Sequence, residues 1–598
     1  MFTTLIIAIS STAAIASICY YVISRPVQKP AHISRFMRII DRLVGWIFGE
    51  TLTILNVPIV YDNGVVNIGD HVLNHVRYWP ESLTASPMPC ILIRSPYGGG
   101  IAALTASRFS SRGYCVIVQD CRGRHHGRAS DDEFIPVRSE REDGIGTIRW
   151  ISEQPFCNGS IGMYGLSYLG ICQWAVIDGA PSSLKAIVPV NASSDLYRVI
   201  FPTIGSVHID LVVRWLYLVF FVGEHNSLLV SRLFRRLRLH TASTAISYHL
   251  PMNDIDKRIL GRELSFFKGA VKHREDPSHE FWAKDMQLRL CEDFNQCPPA
   301  LLIAGWFDIF LQSQLKDWAM LQATSPQHSL MIGPWHHWQV KKMAPIVESA
   351  ALSWLDMHLK NDHSLAVPRV RLYISGIDQW RSFSEFPFSP IKSTALFLNT
   401  NRGLSYTKST SSQAIKFTYD PIKDPTPFIG GASFDARNAG SKEQMDFESR
   451  EDVIVFTSDL VEKAMTVIGP ISANLYVGSS VRSSDWVCRL CDVDLRMQSM
   501  NLCDGIERIT TTVSDDSIIH QVHVDMWAVG HVFLPGHRIR IQICSGAHPR
   551  FSRNSGTGEC DNANATSYLP ADNTIHISDS CPSHVVLPCL VEDVGLAS

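Results

Sequence analysis

The chemistry in this chain starts from one serine. It lies in Gly165-Leu166-Ser167-Tyr168-Leu169-Gly170, where an apolar run over 160–164 gives way to a helical pattern over 171–177. A serine on a sharp strand-to-helix turn exposes its hydroxyl above a sheet, and small neighbours let the chain turn that sharply. The hydroxyl is inert at neutral pH until a base takes its proton and a carboxylate fixes the base, so the motif predicts two further groups. Asp308 follows the apolar run 300–304 in Gly305-Trp306-Phe307-Asp308, and His337 follows the run 329–332 in Gly333-Pro334-Trp335-His336-His337. Both fall at predicted carboxyl ends of strands, where open α/β sheets place their sites, and Ser, Asp, His is a chain order used by acyl-transfer triads. Ser167, Asp308 and His337 are therefore the candidate nucleophile, orienting carboxylate and base. His336 stands beside His337 as a rival base, and Asp317, inside a helical pattern, is the nearest rival carboxylate. A nucleophile turn usually repeats its glycine two residues after the serine, whereas here position 169 is Leu and the glycine comes at 170.

Other clusters point to no cofactor. Gly98-Gly99-Gly100 is followed by no Lys-Ser/Thr pair, which excludes a P-loop nucleotide cradle. His125 and His126, among the arginines of 122–128, read as a solvated or structural loop. Cys488-Arg489-Leu490-Cys491 has zinc-knuckle spacing but no second pair to match it, so the expectation is two core thiols and no metal. Fifteen cysteines without dense, regular spacing do not describe a disulfide scaffold.

The elements that must position the triad are short. Apolar runs at 87–95, 113–119, 160–164, 185–190, 299–304 and 329–332 read as buried strands, and 102–112 and 141–154 as helices between them, which predicts an α/β layer. The alternation stops between about 195 and 292, a helical insertion whose stretch 211–222 is apolar but holds Arg214 and reads as a buried cap helix. Beyond about 362 the pattern turns to period two, as in Arg538-Ile539-Arg540-Ile541-Gln542-Ile543, which predicts a β-sandwich.

The chain has 598 residues, long enough for several cores. Its 54 Lys+Arg against 57 Asp+Glu leave a formal charge of -3, which excludes a global basic field and argues against a nucleic-acid partner. Residues 2–23 carry no charge and as a helix would measure about 33 Å, enough to span a bilayer core. The first cations, Arg25, Lys29, Arg35 and Arg38, follow that run, so the sequence predicts a single N-terminal transmembrane anchor, with a cleaved signal peptide or an apolar N-terminal helix packed on the body as the competing readings.

Taken in order, these segments resemble the cocaine esterase-like hydrolases, relatives of X-prolyl dipeptidyl peptidases and α-amino-acid ester hydrolases. The resemblance is carried by Gly165-x-Ser167-Tyr168-x-Gly170, Gly305-Trp306-Phe307-Asp308 and Gly333-Pro334-Trp335-x-His337. It extends through Arg94-Ser95-Pro96-Tyr97, Gln119-Asp120-Cys121-Arg122-Gly123, Asp143-Gly144, Ala192-Ser193-Ser194-Asp195 and, near the C-terminus, Gly536-His537-Arg538-Ile539, Pro549-Arg550-Phe551 and Arg553-Asn554. It implies an α/β-hydrolase body with an inserted helical cap and a C-terminal β jelly roll, divided as 50–195 and 291–361 for the body, 196–290 for the cap and 362–598 for the jelly roll, after a 1–24 anchor or signal. It implies acylation of Ser167, with His337 rather than His336 as base and Asp308 as its carboxylate, and an oxyanion hole from the Tyr97 hydroxyl and the N–H of Tyr168. The expected activity is hydrolysis of a small-molecule ester or amide without cofactor. Acyl transfer, X-prolyl peptidase activity and a membrane-anchored binding protein are the alternatives. The motif around Val60-Tyr61-Asp62-Asn63-Gly64-Val65 and the stretch 488–505 depart from the family pattern and leave the substrate open.

Overall fold

Runs of five to eight apolar residues become fully buried strands when helices cover both faces of a sheet. The computed structural model describes residues 31–32, 58–124, 134–222, 245–284, 286–387, 391–512, 515, 517–558 and 564–590. In chain order its first strands are β1 (Ala31–His32), β2 (Ile59–Ile68), β3 (His71–Pro80), β4 (Met88–Ser95), β5 (Cys115–Asp120), β6 (Cys157–Leu166), β7 (Leu184–Val190), β8 (Leu301–Gly305), β9 (Ser329–Gly333), β10 (Val370–Ile374) and β11 (Gln379–Phe383). They form one sheet in the order β1-β2-β3-β5-β4-β6-β7-β8-β9-β10-β11. From β5 to β10 the strands are parallel, with antiparallel additions at both edges. All six predicted strand runs lie in the parallel part. The β2–β3 hairpin has no such apolar run, because its strands sit near the edge and are only partly buried.

Successive residues of β4 show how the layers form. Cys90 and Leu92 point into one core with the helices Glu140–Ser152, Tyr168–Trp174 and Leu311–Thr324, while Ile91 and Ile93 point into the opposite core with Ala103–Ser110 and Val340–Lys360. This is an α/β-hydrolase body. Between β7 and β8 the chain leaves the sheet for the helices Leu196–Ile200, Ile209–Leu216, Ile255–Leu260, Ser265–Lys272 and Glu280–Lys284, which form the cap. The helix Ile209–Leu216 continues as a π-helical turn, Tyr217–Val222.

From Ile391 to Leu590 the chain folds into a second 11-stranded sheet, rolled into the C-terminal β domain. Ile539, Ile541 and Ile543 share its core, as their period of two requires. Cys488 and Cys491 lie in the strand Ser483–Val493, where residues three apart face opposite sides, so the pair does not converge on one ion. Both are buried free thiols.

The expectation of a membrane protein is corrected here. The expected span, residues 2–23, lies outside the described residues, and among the described residues no helix is long and apolar enough to cross a membrane. Membrane localisation and a transmembrane anchor, read from the absence of charge in one stretch, are withdrawn. The other apolar segment, at 211–222, follows the physics expected of a cap: its Arg214 is 3% exposed and neutralised inside the protein.

That neutralisation joins cap to β domain. Asp210 pairs with Arg214 one turn along the helix, and its second oxygen accepts from Ser433 Oγ at 2.8 Å, Phe434 N at 2.8 Å and Asp435 N at 3.1 Å. Arg214 also reaches Asp435 at 2.9 Å. Because removing one partner of a buried pair strands the other, Asp210→Ala is expected to lower unfolding stability by about 3 kcal/mol. Denaturant titration checks this, and an unchanged midpoint would show that the clasp does not hold the β domain to the cap.

Candidate active site

Ser167 sits between β6 and the helix Tyr168–Trp174 at φ 60°, ψ −125°. A residue with a side chain persists in such a region only where its surroundings over-determine it, at a cost of about 1–3 kcal/mol. Here the Ser167 N–H donates to Val190 O at 2.9 Å, and its carbonyl accepts from Gly170 N at 2.8 Å and Ile171 N at 3.0 Å. The turn also needs two missing side chains. A Cβ on Gly165 would lie 2.3 Å from Leu169 Cβ, and one on Gly170 would lie 2.5 Å from Ala192 Cβ and 3.0 Å from the Gly165 carbonyl. This explains the displaced glycine: Leu169 leans over Gly165, and it is position 170 that packs against the chain leaving β7.

Two loops bring the partners to this turn. After β8, Trp306 N donates to Gly333 O at 2.9 Å and Phe307 N to Trp335 O at 3.2 Å, lacing that loop to the one after β9. Asp308 and His337 are thereby set side by side. His337 Nδ1 lies 2.9 Å from Asp308 Oδ2, and His337 Nε2 lies 3.0 Å from Ser167 Oγ. Asp308 is fully buried, and its other oxygen accepts from Phe310 N at 2.9 Å. Phe310 and Phe434 pack against the His337 ring, with centroids at 5.7 and 5.4 Å. The three residues singled out from the sequence form one hydrogen-bonded chain.

The rivals are engaged elsewhere. His336 accepts from Trp338 N at 3.3 Å, and burial depresses its pKa to about 4, so it is neutral. Asp317 accepts from Ser194 N at 2.9 Å and Ser194 Oγ at 2.6 Å, with burial raising its carboxyl to about 7. His125 and His126 lie outside the described residues.

Tyr97, in the loop after β4, accepts from Trp215 Nε1 at 3.1 Å, which leaves its own hydroxyl proton for another acceptor. Burial pushes its pKa up to about 12, so it remains a neutral donor. As the first residue of a helix, Tyr168 has an N–H without an intrahelical acceptor. Its ring stacks on Trp215, centroids 6.1 Å apart and planes 12° from parallel.

Beside Ser167 opens a cavity of about 130 Å³. Body, cap and β domain all line it, through Ile171, Trp215, Phe267, Phe310 and Phe434 among others, and no charged side chain does so among the described residues. Trp215 and Phe434 were not singled out from the sequence: Phe434 is far from Ser167 along the chain and follows no catalytic motif. The clasp on Asp210 holds the backbone that presents it, as does the 2.6 Å hydrogen bond from Trp338 Nε1 to Phe434 O.

Comparison with known proteins agrees with this construction. The family described as X-Pro dipeptidyl-peptidase (S15 family) matches residues 70–339, and the X-Pro dipeptidyl-peptidase C-terminal non-catalytic domain matches residues 364–586. Cocaine esterase of Rhodococcus sp. (strain MB1 Bresler) is 31% identical over 554 residues, covering 84% of this chain and 94% of its own. A putative serine esterase of Mycobacterium bovis is 21% identical over 566 residues, 80% of this chain and 86% of its own. Among solved structures, an α-amino acid ester hydrolase superposes with a TM-score of 0.73 at 20% identity, covering 88% of this chain and 96% of its own. An aminopeptidase from a marine sediment Thaumarchaeota archaeon gives a TM-score of 0.72 at 19% identity, covering 89% and 97%.

If the Ser167 hydroxyl is the reacting group, Ser167→Ala is expected to abolish both ester turnover and labelling by a fluorophosphonate while the protein stays folded. Labelling of the Ala variant at the wild-type rate would place the nucleophile elsewhere.

Proposed function

The chain belongs to the X-Pro dipeptidyl-peptidase (S15) family, as a serine hydrolase of the cocaine esterase type, and from that premise we propose that it cleaves carboxylic esters whose acyl group is neutral and apolar. The observation that carries this reading is the lining of the cavity beside Ser167, to which no charged side chain contributes among the described residues. A buried ammonium or carboxylate on the substrate would go unpaired there, and burying an unpaired charge is prohibitive. An apolar void of about 150 Å³ holds benzene, so a cavity of about 130 Å³ suits a ring or a branched chain of similar size. X-prolyl peptidase activity needs a group to receive the substrate's amino terminus, and the same lining argues against it.

In this reading His337 Nε2 takes the proton of Ser167 Oγ as that oxygen attacks the acyl carbonyl. Asp308, accepting from Nδ1, holds the ring in the tautomer that leaves Nε2 free to act and stabilises the imidazolium that forms. The negative charge on the carbonyl oxygen is met by the Tyr168 N–H and the Tyr97 hydroxyl. Trp215 donates to the Tyr97 oxygen, so the phenol keeps its own proton to give to that charge. As the tetrahedral intermediate collapses, His337 returns its proton to the departing alcohol. Water then repeats the sequence on the acyl-enzyme, releasing the acid and freeing Ser167.

Two outcomes are expected. Matched aryl esters should separate by acyl group, with kcat/KM for a benzoyl ester exceeding that for an α-aminoacyl ester of similar volume by at least about 100-fold. Equal values would mean that the cavity does not receive the acyl group. Tyr97→Phe keeps the ring and removes the donor, so kcat should fall by about 10² to 10³ with little change in KM. A kcat within about threefold of wild type, in a variant whose folding is checked by circular dichroism, would make Tyr97 a packing residue.

A further inference from the structure

The proposed oxyanion hole uses only the main chain of Tyr168, yet its side chain is fixed at three points. Its ring is 2% exposed and stacks on Trp215. Its hydroxyl donates to Glu140 Oε1 at 3.0 Å and accepts from Val137 N at 2.8 Å. Glu140 is itself held. The fully buried Arg94 pairs with its carboxylate and also donates to its carbonyl at 3.0 Å and to Gln119 Oε1 at 2.8 Å. With the direction of the phenol proton set by Glu140, the phenol oxygen offers its lone pair to one group, the Val137 N–H.

Val137 is a strained residue. Its φ is 72°, a left-handed value that is an outlier for a β-branched side chain. It is 3% exposed and lines the cavity beside Ser167 together with Pro136. Two hydrogen bonds hold this turn, the Val137 N–H on the Tyr168 hydroxyl and the Val137 carbonyl accepting from Glu140 N at 3.1 Å, and the first of them is the one a side chain supplies.

We infer that the Tyr168 hydroxyl is a specificity-determining positioning group: through Val137 it shapes the wall against which the acyl group packs. The residue after the nucleophile would then serve catalysis with its N–H and substrate selection with its phenol. This inference rests on the proposed roles of Ser167 and of the apolar cavity.

A double-mutant cycle tests it, read as the ratio of kcat/KM for a benzoyl ester to that for an acetyl ester with the same leaving group, since the smaller acyl group does not reach the wall. Tyr168→Phe keeps the ring and the main-chain N–H and should lower that ratio about tenfold, the scale of one lost hydrogen bond. Val137→Gly removes the wall and the strain together and should lower the ratio by a similar factor. In the Val137→Gly background, Tyr168→Phe should then change the ratio by less than about twofold, because contacting residues are non-additive. A Phe variant that slows both esters equally, or that shifts the ratio as strongly in the Gly background, overturns the inference. Should the Phe variant not fold, an unchanged ratio in Val137→Gly overturns it as well. Fluorophosphonate labelling of each variant distinguishes the failures: normal labelling with an unchanged ratio removes this inference and leaves the hydrolase reading, whereas a wild-type protein that neither labels nor turns over either ester removes both.

Discussion

The site depends first on one strained residue. Ser167, at φ 60° between a buried strand and a buried helix, is held in a conformation its side chain disfavours, and the hydroxyl stands above the sheet because of it. The neighbourhood is built around that conformation. Gly165 and Gly170 leave room for the turn, Val190 accepts the Ser167 N–H, and the helix Tyr168–Trp174 is 9% or less exposed along its length. The parallel sheet then needs only to deliver Asp308 and His337 from the same edge, and the lacing of the loops after β8 and β9 sets their spacing before any substrate arrives.

Much of this was legible in the sequence because it is local. The strand before Ser167, the apolar run ahead of Asp308 and the one ahead of His337 each announce a buried strand with a polar residue at its end, and three such announcements in one order imply a triad. The alternation of Arg538 to Ile543 likewise shows one face of a β sheet. What was not legible is what depends on distant pairing. Asp210 receives Ser433, Phe434 and Asp435 from more than 200 residues downstream, and a lone aspartate in an apolar helix gives no sign of that partner. Arg94 and Glu140 show up in the sequence as ordinary charges, although both are buried in a network behind Tyr168. The membrane expectation rested on hydropathy alone, in residues 2–23 outside the described residues, and among the described residues no helix is long and apolar enough to cross a membrane.

The cavity beside Ser167 is lined by no charged side chain among the described residues. Its walls come from three regions of the chain, and the polar groups nearby serve to hold those walls rather than to face the substrate. Asp210 and Arg214 neutralise each other while presenting Phe434, and Arg94 and Glu140 do the same while presenting Val137 through Tyr168. Each charge is buried with a partner, as burial requires. In the proposed reading, apolar shape is left as the basis of selection among acyl groups.

The central claim is that Ser167 carries an apolar acyl group during turnover. It is tested most directly by mixing the protein with a benzoyl aryl ester, quenching within the first turnovers and locating any added mass by peptide mass spectrometry. The account predicts a benzoyl adduct on the peptide containing Ser167, formed as the leaving group is released and lost on further incubation in water. Release of the leaving group with no adduct at Ser167, or with the adduct on another residue, would contradict it.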